Sequence, residues 1–425
     1  MLLARFLKNC RGGVAPMLAL AAIPLMGTVG AAVDFTRASA TRASMQAALD
    51  STALMLSKNA ATENAGQLQS AATSTFNALF TRPEASNVSL SVNYSSNGGS
   101  KVLLNGSATV KATFLNVLGF NNIPITATST VLWGNSRLRV ALVLDNTGSM
   151  AQSGKMTALQ TASQNLLTQL KNAAVNDGDV YVSIVPFNKD VNIGASNYNQ
   201  SWIDWTDWNA ANGKCSSTSY TTQSTCTSAH KTWTPANHNT WNGCVTDRDQ
   251  NFDTTNDAAV AGSTQYPTEQ YASCPTQLMA LSYDWTSLSN KINAMQPNGN
   301  TNQAVGLQVG WQSLTAAPFT IPAMDPNYKY NQVIILLTDG LNTEDRWYTN
   351  QSSIDARQQL TCNNAKAAGI TIYAVQVNTG GDPTSTLLKN CASDSSKFFL
   401  LTSANQIVTT FSQIGTALSN LRVAN

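Results

Sequence analysis

The segment 138–150, LRVALVLDNTGSM, constrains the fold of this chain more than any other. A run of apolar residues of strand length stops abruptly at Asp145, Thr147 and Ser149. Side-chain oxygens at i, i+2 and i+4 on a strand-to-loop turn can converge on one hard divalent cation. They can equally cap a following helix, because Asp, Thr and Ser satisfy the free N–H groups of its first turn. Two later segments favour the first reading. NGNTN, residues 298–302, offers Thr301 in a turn-rich loop, and QVIILLTDG, residues 332–340, ends a second apolar strand in Asp339.

The surrounding pattern is that of an α/β protein. From Arg137 onward, apolar strands at 138–144, 180–187, 333–338, 370–377 and 398–401 alternate with helical segments at 155–171, 301–314, 354–368 and 404–421. Such alternation predicts a doubly wound, mostly parallel sheet. Ligands of these sheets bind at the carboxyl ends of strands, where Asp145 and Asp339 both fall.

The set Asp145, Thr147, Ser149, Thr301 and Asp339 resembles the metal-ion-dependent adhesion site of the von Willebrand factor A family, DxSxS followed by Thr and then Asp. Thr147 stands where serine is usual; the hydroxyl is kept and a methyl is added. The resemblance implies a bound Mg2+, with Mn2+ or Ca2+ as alternatives. Ser149, Thr147 and Thr301 would touch the ion directly or through water, and Asp145 and Asp339 would balance its charge. Mg2+ prefers six oxygens, so one position is left for an acidic residue of a protein partner.

Charged residues make up 11% of the chain, against about 25% in ordinary soluble domains. That composition, rich in Ser, Thr, Asn and Gln, suits an exported protein. The net charge of +2 gives no field that would draw nucleic acid. Residues 14–33, VAPMLALAAIPLMGTVGAAV, carry no charge and are long enough to cross a bilayer as a helix. Arg5, Lys8 and Arg11 precede them, which puts a tail, residues 1–13, in the cytoplasm and everything after Asp34 outside. Gly30, Ala31 and Ala32 would also suit a cleavable signal peptide, but the apolar stretch exceeds a usual signal core.

Residues 34–60 are rich in helix formers and predict a helical stalk with an apolar seam of Phe35, Met45, Leu49 and Met55. Segments 88–94, 101–114 and 123–133 alternate with period two between Gly- and Asn-rich breaks, which predicts a small β-rich domain over 61–135. The α/β domain then occupies 137–425, interrupted by an insert at 188–283.

Arg11, Gly12 and Gly13, the prolines Pro16 and Pro24, Val33 and Asp34, Ala48 to Asp50, and Ala53 and Leu54 resemble the N-terminal module of TadE/TadG-like proteins of the tight-adherence (Flp) pilus machinery. Prepilin-like substrates carry a glutamate five residues after their cleavage glycine. VAPML follows Gly13 here, so peptidase processing is not expected. With an A-type domain downstream, the whole resembles a TadG-like protein. The family implies a bacterial inner-membrane protein, single-pass with a cytoplasmic N-terminus, whose periplasmic A domain helps assemble or anchor Flp pili in surface attachment. A secreted or surface adhesin and a purely structural pseudopilin-like protein are the alternatives.

Six of the seven cysteines follow the apolar stretch, and an even exported set predicts disulfides. Cys362 and Cys391 flank the strand 370–377 and are expected to bridge two helices. Cys215, Cys226, Cys244 and Cys274 share the insert, where three pairings are open. Trp202, Trp205 and Trp208 also lie in the insert and suggest a partner-binding surface, or else a substitute core. No GxSxG elbow, HExxH, Walker loop or GxGxxG is present, so binding rather than catalysis is expected.

Overall fold

The computed structural model describes residues 14–57, 60, 63–95, 100–133, 136–326 and 328–423. The tail expected to be cytoplasmic, with Cys10, lies outside them. The chain divides into two compact units, Met1–Asn135 and Ser136–Ala424.

In the first unit a long helix, α1 (Val14–Leu56), is followed by α2 (Ala65–Leu79) and a three-stranded antiparallel meander, β1 (Ala85–Ser95), β2 (Ser100–Lys111) and β3 (Asn122–Trp133). Among the described residues no helix is long and apolar enough to cross a membrane. The later half of α1 is not a free stalk. Ala38, Met45, Leu49, Ala53 and Leu56 are buried with Val102 and Leu104 of β2 and with Leu68, Ala72 and Phe76 of α2. Spacings of seven, four and three residues make these positions one stripe of the helix. Phe35 and Met55 fall off that stripe and are exposed, so the seam differs from the expected one. A Cβ at Gly106 would lie 3.2 Å from Leu49 Cδ1 and Met45 Sδ, so this glycine lets the helix rest close on the sheet.

Two further differences arise here. Residues 65–79, within the stretch expected to be β-rich but ahead of its expected strands, form a helix started by Asn64, whose side chain and that of Gln67 cap each other's backbone N–H. The second strand stops at Lys111, not at residue 114. Beyond it the N–H groups of Thr113, Phe114 and Leu115 turn to the buried carboxylate of Asp34 instead of a neighbouring strand.

The second unit is an α/β fold. Its strands are β4 (Ser136–Asp145), β5 (Val180–Phe187), β6 (Val191–Asn192), β7 (Cys244–Val245), β8 (Met279–Ser282), β9 (Lys329–Thr338), β10 (Thr371–Val377) and β11 (Phe398–Leu401). They form one sheet in the order β7-β6-β5-β4-β9-β10-β11, with β8 also on β5. The pairs from β5 to β11 are parallel, and the insert's strands add antiparallel. The unit's helices outside the insert are α3 (Lys155–Ala173), α4 (Trp285–Asn293), α5 (Gln303–Thr315), α6 (Gln351–Ala367), α7 (Thr386–Cys391) and α8 (Asn405–Val423).

Strand side chains alternate between two cores. Leu138, Val140, Leu142 and Leu144 of β4 pack with Leu159 and Leu166 of α3 and Phe411 of α8. Ala141 and Val143 pack with Val305 and Val309 of α5 and with Cys362 of α6. Helix α5 is buried from Gln303 to Leu314, because the sheet covers one side and the insert the other. Cβ atoms at Gly306 and Gly310 would come within 2.6 Å of Phe187 and 2.3 Å of Val143, so both positions need glycine for the helix to lie this near the strands.

The disulfides are Cys215–Cys226, Cys244–Cys274 and Cys362–Cys391. The last joins α6 to α7. In the insert, Trp208 is buried and Trp202 and Trp205 are half-buried. Trp205 stacks on His238 at 3.8 Å and meets Trp208 and Trp241 edge-on, while Trp202 meets Tyr266. The three tryptophans thus pack on one another or on buried neighbours, with Trp202 and Trp205 still partly open to solvent.

Candidate metal centre

Register brings the two acidic loops together. In the parallel β4–β9 pair Leu144 lies opposite Leu337, so Asp145 and Thr338 leave the sheet side by side and Asp339 follows at once. Asp145 is fully buried. Its Oδ1 accepts from Thr147 N at 2.8 Å, and its Oδ2 accepts from Thr338 Oγ1 at 2.7 Å and Asp339 N at 3.3 Å. Burial first, and then the adjacent Asp339 charge, push its carboxyl up to about 6. Ser149 Oγ donates to Asp339 Oδ1 at 2.6 Å and shares a hydrogen bond with Thr147 Oγ1 at 2.9 Å. The other Asp339 oxygen holds the buried ammonium of Lys155, from the start of α3.

Thr301 arrives on a separate loop. Gly148 N donates to Gly299 O at 3.0 Å and Asn298 N to Asn146 O at 2.8 Å, which lays this loop along the Asp145 turn. Gly299 has φ of +84°, and a Cβ there would stand 2.7 Å from Asn188 Nδ2. Thr301 itself is buried and tied to the loop after Asp339, with Thr343 N donating to its carbonyl and its own N–H donating to Thr343 Oγ1, both at 2.9 Å. Asn302 then caps α5 through Ala304 N and Val305 N. Thus Asp145, Thr147, Ser149 and Asp339 contact one another directly, and Thr301 joins them through backbone bonds.

The donor set suits a hard divalent ion: two carboxylates and three hydroxyls, all oxygen, with the Asp339 charge close enough to raise the proton affinity of Asp145. Among the described residues no group of three or more His, Cys, Asp and Glu side chains forms a metal-holding cluster. Any ion here would rely on the hydroxyls. Sequence reasoning missed Lys155, which brings a positive charge to the same carboxylate. It also missed Thr338, although the LLTDG segment contains it.

Behind the Thr301 loop lie two further buried acids. Asp247 Oδ2 accepts from Asn302 Nδ2 at 2.7 Å and Arg346 N at 3.2 Å, yet burial, followed by Asp345, pushes its carboxyl up to about 7. Asp190 has no hydrogen-bond partner on either oxygen, and burial, then Glu269, raises it well above the usual range. Both acids hold protons more tightly folded than unfolded. For Asp247 the resulting contribution to stability is complete below about pH 4, the unfolded value, and is lost as pH rises through about 7, and Asp190 acts in the same direction. In EDTA the chain is expected to melt higher at pH 5.5 than at pH 8, and Asp247→Asn to raise the pH 8 melting temperature and flatten the difference. A variant that melts lower than wild type at pH 8 would refute this assignment.

The second unit has a von Willebrand factor A-like α/β fold, and residues 251–413 match the family model of the von Willebrand factor type A domain. The match begins beyond the Asp145 loop, after most of the insert. Residues 12–57 match the family model described as putative Flp pilus-assembly TadE/G-like. No curated protein matches. Similar solved structures include the pilus adhesin SpaC from Lactobacillus rhamnosus GG, at 14% identity and TM-score 0.38, covering 80% of this chain and 36% of that one. The vWF domain of the type V pili tip protein Mfa5 from Porphyromonas gingivalis is similar at 12% identity and TM-score 0.39, covering 68% and 97%. A von Willebrand factor type A protein from Catenulispora acidiphila gives 12% and 0.35, covering 79% and 51%. The chain thus spans about a third of the length of SpaC.

Proposed function

We propose that this chain is a membrane-anchored, exported binding protein of the Flp/Tad pilus apparatus, whose A domain holds Mg2+ and captures an acidic residue of a pilus or envelope protein. The observation that carries the reading is the direct contact of Thr147, Ser149 and Asp339 above Asp145 at the carboxyl ends of two neighbouring strands. Ser149, Thr147 and Thr301 would face the ion, which when bound supplies a Lewis-acidic position for the partner's carboxylate. Asp145, with both oxygens committed to protein donors, orients the loop and contributes charge from behind. Asp339 is shared between Ser149 and Lys155, so the ion and the ammonium compete for it. The TadE/G-like segment and the charge-free residues 14–33 support anchoring in the inner membrane, with the bulk of the chain periplasmic.

The test is retention of pilus components from envelope extracts on the immobilised full chain, with Mg2+ and with EDTA, alongside calorimetric titration with Mn2+. Lys155→Met is expected to tighten Mn2+ binding by roughly tenfold, because a unit charge within a few ångströms is worth more than 1 kcal/mol in a partly buried site. Identical retention in EDTA and by Ser149→Ala would sink the coordination mechanism.

A further inference from the structure

We infer that the first unit carries an apolar collar, made of the turn after β2 and the adjoining stretch of α1, that seats in the headgroup and upper acyl region of an anionic bilayer. The inference rests on the membrane attachment proposed above and adds to it a second, loop-borne contact.

The turn is fastened to the helix at three points. Asp34 accepts the N–H groups of Thr113, Phe114 and Leu115, at 2.7 Å for Phe114 and 2.8 Å for Leu115. Arg37 Nη1 donates to Thr113 Oγ1 at 2.8 Å. Phe114 lies on Gly30, where an added Cβ would stand 2.5 Å from Phe114 Cβ. From this base the turn projects Val117, 88% exposed, and Phe120, 65% exposed, and in the stretch of α1 just before Gly30 the residues Leu25, Met26 and Val29 are each more than 60% exposed. Exposed apolar side chains gathered on one end of a unit mark a contact surface.

Two features select lipid as the occupant. The first is Asp34. A turn standing in water can leave its amides to solvent, whereas one that enters the interface needs them satisfied within the protein. Asp34 does this from a buried position. Burial raises its carboxyl, yet the donors from Leu115, Thr113 and Phe114, helped by Arg37, hold it below the usual carboxylate range. The second is charge. Asp34 is the sole acid before Asp50, while Arg37 and Lys111, on the two chain segments that flank the turn's base, are exposed; Glu84 lies further along α1 at Thr41, paired with Arg82. Basic residues at the edge of an apolar patch complement anionic headgroups.

The experiment uses the full chain with Cys10→Ser, reconstituted in vesicles of phosphatidylcholine and phosphatidylglycerol. A single environment-sensitive fluorophore is placed by Val117→Cys or, as a control further along α1, by Asp50→Cys. The label at 117 is expected to emit at shorter wavelength than that at 50 and to lose intensity when the lipids are brominated near the top of their acyl chains. Carbonate extraction of the same vesicles separates the two readings. Release of the protein would overturn attachment itself. Retention with a label at 117 as water-exposed as that at 50 would overturn the collar alone. A shift at 117 without quenching by brominated lipid would mean that a protein surface, such as a second copy, covers the patch, and would likewise overturn it.

Discussion

Ser149→Ala is expected to weaken Mn2+ binding by at least about tenfold with little change in melting temperature, while Asp145→Ala is expected to lose binding together with about 2–4 kcal/mol of stability. The difference follows from where each side chain spends its hydrogen bonds. Ser149 lies at the mouth of the site, and its removal costs Asp339 one of two partners; Lys155 remains. Asp145 is buried and receives Thr147 N, Thr338 Oγ1 and Asp339 N, so truncation strands three donors in a closed site. Each stranded donor costs about 1–3 kcal/mol. Removing a buried charge beside Asp339 offsets part of that sum, which is why the expected loss is smaller than three full penalties. Calorimetric titration and thermal melts in EDTA on the two variants read the two effects separately. Mn2+ binding by Ser149→Ala equal to wild type would remove the hydroxyls from the proposed coordination.

The second large effect is expected from the Cys362–Cys391 bridge. Both cysteines are fully buried, and the bond closes a separation of 29 residues that contains strand β10, with Cα atoms 5.0 Å apart. A loop of that size is worth about 3–4 kcal/mol on the chain-entropy account. For a domain of this size that is a fall of about 10 °C in melting temperature. The suitable variant is the double Cys362→Ala, Cys391→Ala change. Serine would place two hydroxyls in an apolar core and confound the lost cross-link with buried, unpartnered polar groups. An unchanged melt of the double alanine variant under oxidising conditions would show that the bridge does not limit stability.

These two cases show how unequal the sequence is as a guide. Asp145 and Asp339 were legible because each ends a run of consecutive apolar residues, and a strand's end is a local property of the chain. The role of Asp145 as a hub for three donors was not legible, since two of them come from the neighbouring strand's end. Lys155 was missed for the same reason. A lysine at a helix start carries no sign of the carboxylate it will meet 184 residues later. The tryptophans of the insert were ambiguous between surface and core, because clustered aromatics serve either purpose until their ring contacts are known.

The sequence by itself determined the α/β alternation, the strand ends that carry the acidic loops, the charge-free N-terminal stretch and the even set of cysteines that follows it. All of these are written in short windows, where periodicity, length and charge act on neighbouring residues. The tertiary structure alone decided which insert cysteines pair, that α1 lies on a sheet through Ala38, Met45 and Leu49, and that Asp34 takes up the amides of a turn 79 residues away. Those outcomes depend on which distant surface arrives to cover a given face. A local pattern can show that a side chain needs a partner, and only packing selects the partner that fits.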